Sequence, residues 1–90
     1  MADKKLVLAV DDDASVCDLY EAGLPALGYD VVCASSAGKA REALKKRKPD
    51  VILMDIMMSD QDGISLTRDI RSEPETSDIP IIIVSGLADA

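Results

Sequence analysis

The sequence predicts an α/β fold in which helices cover a parallel sheet. Apolar runs alternate with segments of helical periodicity. The runs are continuous rather than alternating, as strands are when both faces of a sheet are covered. Three of them also end in residues that can handle a phosphoryl group or a metal ion. Residues 6–10 lead into Asp11, Asp12 and Asp13, residues 51–54 into Asp55, and residues 81–84 into Ser85. In parallel strands joined by helical crossovers these ends emerge on one edge of the sheet, where open α/β folds bind ligands.

Each element follows from local pattern. Strand 6–10 leads to a helical pattern over 14–27, with Val16, Leu19, Tyr20, Leu24 and Leu27 at helical spacing. Asp13 is the candidate N-cap, in preference to a ligand role, and Gly28 the candidate C-cap. Pro25 removes a backbone donor in the last turns and should kink or shorten that helix. Residues 31–34 form a short strand. Ser35 and Ser36 can cap a second helix reaching Arg47, whose apolar face is Ala37, Ala40, Ala43 and Leu44. Its basic end, Lys45 to Lys48, complements the negative end of the helix dipole; a nucleic-acid or partner patch is the functional alternative for that run. Strand 51–55 precedes a loop over 56–63, in which Asp62 stabilises the turn at Gly63. A third helix over 64–71 sets Ile64, Thr67 and Ile70 on one side. After a polar connector at 72–78, strand 79–84 tolerates Pro80 at its start.

Ninety residues make a single domain, 1–90, without repeat or linker. The chain is 48% hydrophobic and 30% charged, a globular composition, and with 2% aromatics its core must be aliphatic. A net charge of −7 and a pI near 4.3 argue against direct nucleic-acid binding, because phosphate backbones would be repelled over most of the surface. No apolar stretch approaches a membrane span or a signal-peptide core, so a cytoplasmic location without membrane contact is expected. Cys17 and Cys33 lack metal-ligand spacing and read as buried reduced thiols.

A carboxylate can attack phosphorus to give an acyl phosphate, but the incoming group is anionic and a divalent cation is needed to bring the two together. Asp11, Asp12, Asp55 and the backbone carbonyl of Met57 form a donor set suited to Mg²⁺ or Mn²⁺. At these residues the chain resembles the receiver domain of two-component response regulators, a CheY-like, flavodoxin-like fold. Val10 to Asp13 resemble that family's acidic pair, Met54 to Gly63 its phosphoacceptor strand and loop, and Ile79 to Gly86 its fourth strand. The resemblance implies Asp55 as the phosphorylated residue, Asp11 and Asp12 as metal ligands, and Ser85 beside the small Gly86 as the hydroxyl that binds the phosphoryl oxygen. It also implies a sensor histidine kinase or phosphotransfer protein as partner, and a signalling module rather than an enzyme.

The departures from the family pattern carry their own expectations. Ser59 and Gln61 stand where the family has Pro and an apolar residue, which should loosen the loop beside Asp55. The resemblance covers about three quarters of a receiver, giving a truncated sheet of order 2-1-3-4 without the fifth strand, the last helices and the family's essential Lys. No lysine substitutes for it: Lys4 and Lys5 precede the first strand, and Lys45, Lys46 and Lys48 close a helix at the opposite edge. Phosphoryl stabilisation should therefore be impaired, and the fourth strand becomes an edge through which the chain should form a homodimer or higher assembly. Two alternatives stand beside this reading. One is a receiver-like interaction module that no longer takes phosphate. The other is a haloacid-dehalogenase-like phosphatase with Asp11 as nucleophile, on the likeness of Asp11 to Ser15 to that family's motif.

Overall fold

A computed structural model describes residues 4–84 of the chain. Four strands, β1 (Leu6–Val10), β2 (Asp30–Ala34), β3 (Val51–Asp55) and β4 (Ile81–Val84), alternate with helices α1 (Ala14–Gly23), α2 (Ala37–Lys46) and α3 (Gly63–Ser72). The strands form one sheet of order β2-β1-β3-β4, and every pairing is parallel. This is the expected fold class and strand order.

All five residues of β1 are buried, which is why its sequence carries no polar alternation. Backbone partners fix its ends. Leu6 donates its N–H to an Asp50 carboxylate oxygen at 2.7 Å, and the Asp50 N–H returns to the Leu6 carbonyl at 2.8 Å. At the other end the Asp11 N–H reaches the Ala34 carbonyl at 3.0 Å. In register, Val10 lies beside both Ala34 and Met54, and Asp55 lies beside Val84, so β1, β2 and β3 finish on the same sheet edge. The core forms on the face covered by α2 and α3, where Leu8, Val10, Ile52 and Met54 meet Ala40 and Leu66. Small alanines on α2 let that helix approach closely, as expected from Ala37 and Ala40, both buried.

Local chemistry explains the helix ends. Asp13 has extended backbone and accepts the Ser15 N–H, so it caps α1. Ser36 caps α2 by accepting from Lys39, and Asp62 caps α3 by accepting from Ser65. Helix α1 stops at Gly23, and Pro25 opens a separate 3-10 turn over Pro25–Leu27 that ends on Gly28 at φ +94°, the shortening expected from the proline.

Several side chains depart from the expected faces. Leu19 and Leu27 were expected on an apolar helix face, yet they are 71% and 73% exposed, and no residue of α1 is buried. On α3 the buried stripe is Gly63, Leu66 and Ile70 rather than Ile64, Thr67 and Ile70. Ile64 and Leu66 differ by two positions, just over half a turn, so they lie on opposite sides of the helix and the contact with the sheet selects the latter. The Thr67 hydroxyl is buried and has no partner among the described residues. The basic end of α2 is engaged on the surface, with Arg47 paired to Asp30 at 3.5 Å and Lys48 to Asp78 at 3.0 Å.

Cys17 and Cys33 correct the expectation of reduced thiols, because the structure joins them in a disulfide with a Cα–Cα separation of 5.8 Å, within the range such bonds span. Spacing in sequence could not show this. Cys17 sits in the first turn of α1 and Cys33 on β2 beside Ala9, and the crossover brings them together.

Candidate metal centre

Asp11 is the first residue beyond β1, and Asp55 ends β3. Both are 8% exposed, an unusual position for carboxylates, while Asp12 is open to solvent. Oxygens of Asp11, Asp12 and Asp55 all lie within 4.8 Å of one another. The sheet edge therefore converges the three acids as the strand pattern implied.

The turn that presents Asp11 is built from its own side chains. One Asp11 carboxylate oxygen accepts the Asp13 N–H at 2.9 Å, and Asp13 in turn caps α1. Burial pushes the Asp11 carboxyl above its ordinary range. The Asp13 N–H opposes that shift, whereas the neighbouring carboxylates of Asp55, Asp12 and Asp13 add to it. Burial likewise raises the Tyr20 phenol, followed by the charges of Asp11 and Asp55, which places this helix residue within the field of the acids. Among the described residues the side-chain charges that shift Asp11 are thus of its own sign, and the three acids could hold an oxygen-seeking divalent cation.

Asp55 is held against α3 at contact distance. The Gly63 N–H donates to the Ile56 carbonyl at 2.7 Å, and a Cβ on Gly63 would overlap the Asp55 carbonyl oxygen and stand 2.8 Å from its carbonyl carbon. Only glycine lets the start of α3 approach the strand end this closely. Met57 leaves its side chain in solvent at 75% exposure. Met54, by contrast, is wholly buried, and Met58 packs on the core. Ser85 and Gly86, expected beside the phosphoryl group, lie outside the described residues. Grooves of about 270 Å³ between β2 and α2 and about 450 Å³ between α2 and α3 lie away from the acids, which occupy the sheet edge instead.

The loop after Asp55 is tied down, contrary to the loosening expected from Ser59 and Gln61. Gln61 donates to Ser65 at 3.0 Å and to Asp69 at 2.9 Å, and it also accepts from Arg41, which itself pairs with Asp69 at 2.9 Å. Asp60 accepts the N–H groups of Ala37 and Gly38, at 3.1 and 3.2 Å, from the first turn of α2. Those two bonds hold the Asp60 carboxyl below its ordinary range. Sequence reasoning missed Asp60, Arg41, Asp69 and the proximity of Tyr20, because each acts across more than one element.

A parallel β2-β1-β3-β4 sheet with three acids gathered at the carboxyl ends of β1 and β3 is the architecture of CheY-like signalling domains. The comparisons agree. Residues 7–90 match the response regulator receiver domain family. "Probable transcriptional regulator ycf27" of Guillardia theta is 41% identical over 86 residues, which is 96% of this chain and 33% of that protein. Its counterpart from Porphyridium aerugineum is 35% identical over the same length, 35% of its own. The chain thus spans about a third of the curated relatives it matches. Among solved structures, the N-terminal domain of a response regulator receiver protein from Methanoculleus marisnigri JR1 superposes with a TM-score of 0.83 at 36% identity, covering 87% of this chain and 63% of that one. A response regulator receiver protein from Pseudomonas putida gives 0.87 at 34%, covering 94% and 70%. The chain belongs to the response regulator receiver family of two-component signalling, which sets aside the dehalogenase-like alternative.

Proposed function

We propose that this domain accepts a phosphoryl group on Asp55 from a histidine kinase or phosphotransfer protein in the cytoplasm, as a signalling module rather than an enzyme. The observation that carries the reading is the convergence of Asp11, Asp12 and Asp55 oxygens within 4.8 Å in a chain of receiver sequence. Asp11 and Asp12, with Asp55 and the Met57 carbonyl, would hold Mg²⁺ or Mn²⁺. Bound there, the cation would neutralise charge between the incoming phosphoryl group and the acids. In the transfer, an Asp55 carboxylate oxygen attacks phosphorus, the donor's P–N bond breaks, and the imidazole leaves with that electron pair. Gly63 keeps the Asp55 backbone fixed, and the Asp13 N–H orients Asp11. Ser85 and Gly86 would bind the phosphoryl oxygens.

The test is intact mass after incubation with acetyl phosphate and Mg²⁺. Gain of one phosphoryl group, abolished in Asp55→Asn and weakened in Asp11→Asn, is the expected outcome. Uptake that survives in Asp55→Asn would refute the assignment.

A second reading, association through β4, is favoured by one observation. On this edge of the described sheet Ile82 and Ile83 are 54% and 39% exposed. Unpaired strand groups flanked by large apolar side chains are a template for a second copy.

A further inference from the structure

We propose that Cys17 and Cys33 are a reversible redox site: when their disulfide forms, it fastens α1 to the sheet beside the acidic turn and tightens cation binding there. The second half rests on reading Asp11, Asp12 and Asp55 as a cation pocket; the first does not.

Three observations carry the inference. Helix α1 has no fully buried residue, only the half-buried Val16, Cys17 and Tyr20, and the bond from Cys17 is a covalent fastening at its first turn. The bond also brackets Asp11. Cys33 precedes Ala34, whose carbonyl accepts the Asp11 N–H at 3.0 Å, while the Cys17 sulfur lies 3.5 Å from the Asp11 carbonyl oxygen. Finally, both cysteines are only partly buried rather than enclosed in the core. In a reducing compartment, disulfides of that kind are transient and sensing rather than permanent.

The chemistry closes without a metal. One thiol gives up its proton and its thiolate attacks a peroxide oxygen, so an S–O bond forms, the O–O bond breaks and the leaving hydroxide takes that proton as the first water. The second cysteine, likewise deprotonated, attacks the sulfenic sulfur, the S–O bond breaks and the hydroxide leaves with the second proton as water. Two electrons pass from the cysteines to the peroxide. A dithiol reverses the step by exchange, becoming a disulfide itself while both cysteines regain their protons.

Fixing α1 and the end of β2 on either side of the Asp11 turn removes conformations in which the acids splay apart, so the oxidised form meets the cation already assembled. The experiment treats the 90-residue chain with hydrogen peroxide or with a dithiol. It then reads intact mass, Mn²⁺ affinity and hydrogen exchange across α1, with the Cys17→Ser/Cys33→Ser pair as control. The expected results are loss of two hydrogens on oxidation, restored by the dithiol, with Mn²⁺ affinity several-fold higher and α1 exchange slower in the oxidised form. The double variant should match the reduced protein under both treatments. Failure to form the bond, or equal affinity and equal exchange in the two forms, would overturn the proposal. Should neither form bind Mn²⁺, the cation pocket fails. In that case slower α1 exchange on oxidation would sustain the fastening alone, and equal exchange would sink it too.

Discussion

Gly63 and Asp55 show how closely one residue's identity constrains another's position. A methyl group at 63 would enter the Asp55 backbone, and relief requires either α3 or the end of β3 to move. Gly63→Ala is therefore expected to cost about 1 to 3 kcal/mol through overpacking. Its melting temperature should fall, and phosphoryl uptake should fall further than that loss of folded protein explains. Unchanged melting and uptake would show that the contact relaxes freely. The sequence displayed the three acids and the caps Asp13 and Ser36 plainly, since each is a residue type bound to a strand end or a helix start, whereas Asp62, expected only to stabilise a turn, caps α3. It did not display the role of Gly63 beyond a turn, because the clash it avoids is with a strand end eight positions away. Nor did it display the disulfide, which exists only once a helical crossover has returned the chain to the sheet.

Among the elements, α2 and the loop after β3 are joined by an anion placed at a helix start. Asp60 accepts two N–H groups from the first turn of α2, where the helix dipole favours negative charge. With its folded pKa lowered below the ordinary 3.8, Asp60 contributes stability that is present above that value and lost as the pH falls through the folded value. Asp60→Asn keeps one acceptor but loses the charge. Its melting temperature should lie below wild type at neutral pH, and the gap should narrow as the pH falls below 3.8 and through the lowered folded value. A gap that stays constant into acid would show that the charge is not what caps the helix. Strand and helix order could be read from apolar periodicity, and Pro25 announced the early end of α1. The face of α1 could not be read the same way. Its leucines fall at helical spacing, yet spacing alone does not tell whether a sheet lies beneath them.

At the level of the whole molecule, charge and edge pull in opposite directions. A net charge of −7 opposes association, whereas the exposed Ile82 and Ile83 on the β4 edge of the described sheet would favour it under the proposed pairing, and the apolar edge is local while the charge is spread. Light scattering should find wild type larger than one chain at micromolar concentration. Ile82→Lys, which adds a charge to the edge, should return it to a single chain. A wild type already monomeric would remove the association from consideration. The disulfide acts at the same scale, since it closes a 16-residue separation in the unfolded chain and is expected to contribute about 3 kcal/mol.

The sheet order has a consequence for how the protein comes into being. β1 is made first and stands inside the sheet; β2 joins one side of it, β3 the other, and β4 then adds to β3. As the ribosome delivers the chain, each new strand meets a neighbour that has already emerged, and no earlier pairing has to be undone to admit it. The carboxylate that secures the start of β1 belongs to Asp50, at the threshold of β3, so the nascent domain locks its oldest strand only when the third is about to appear.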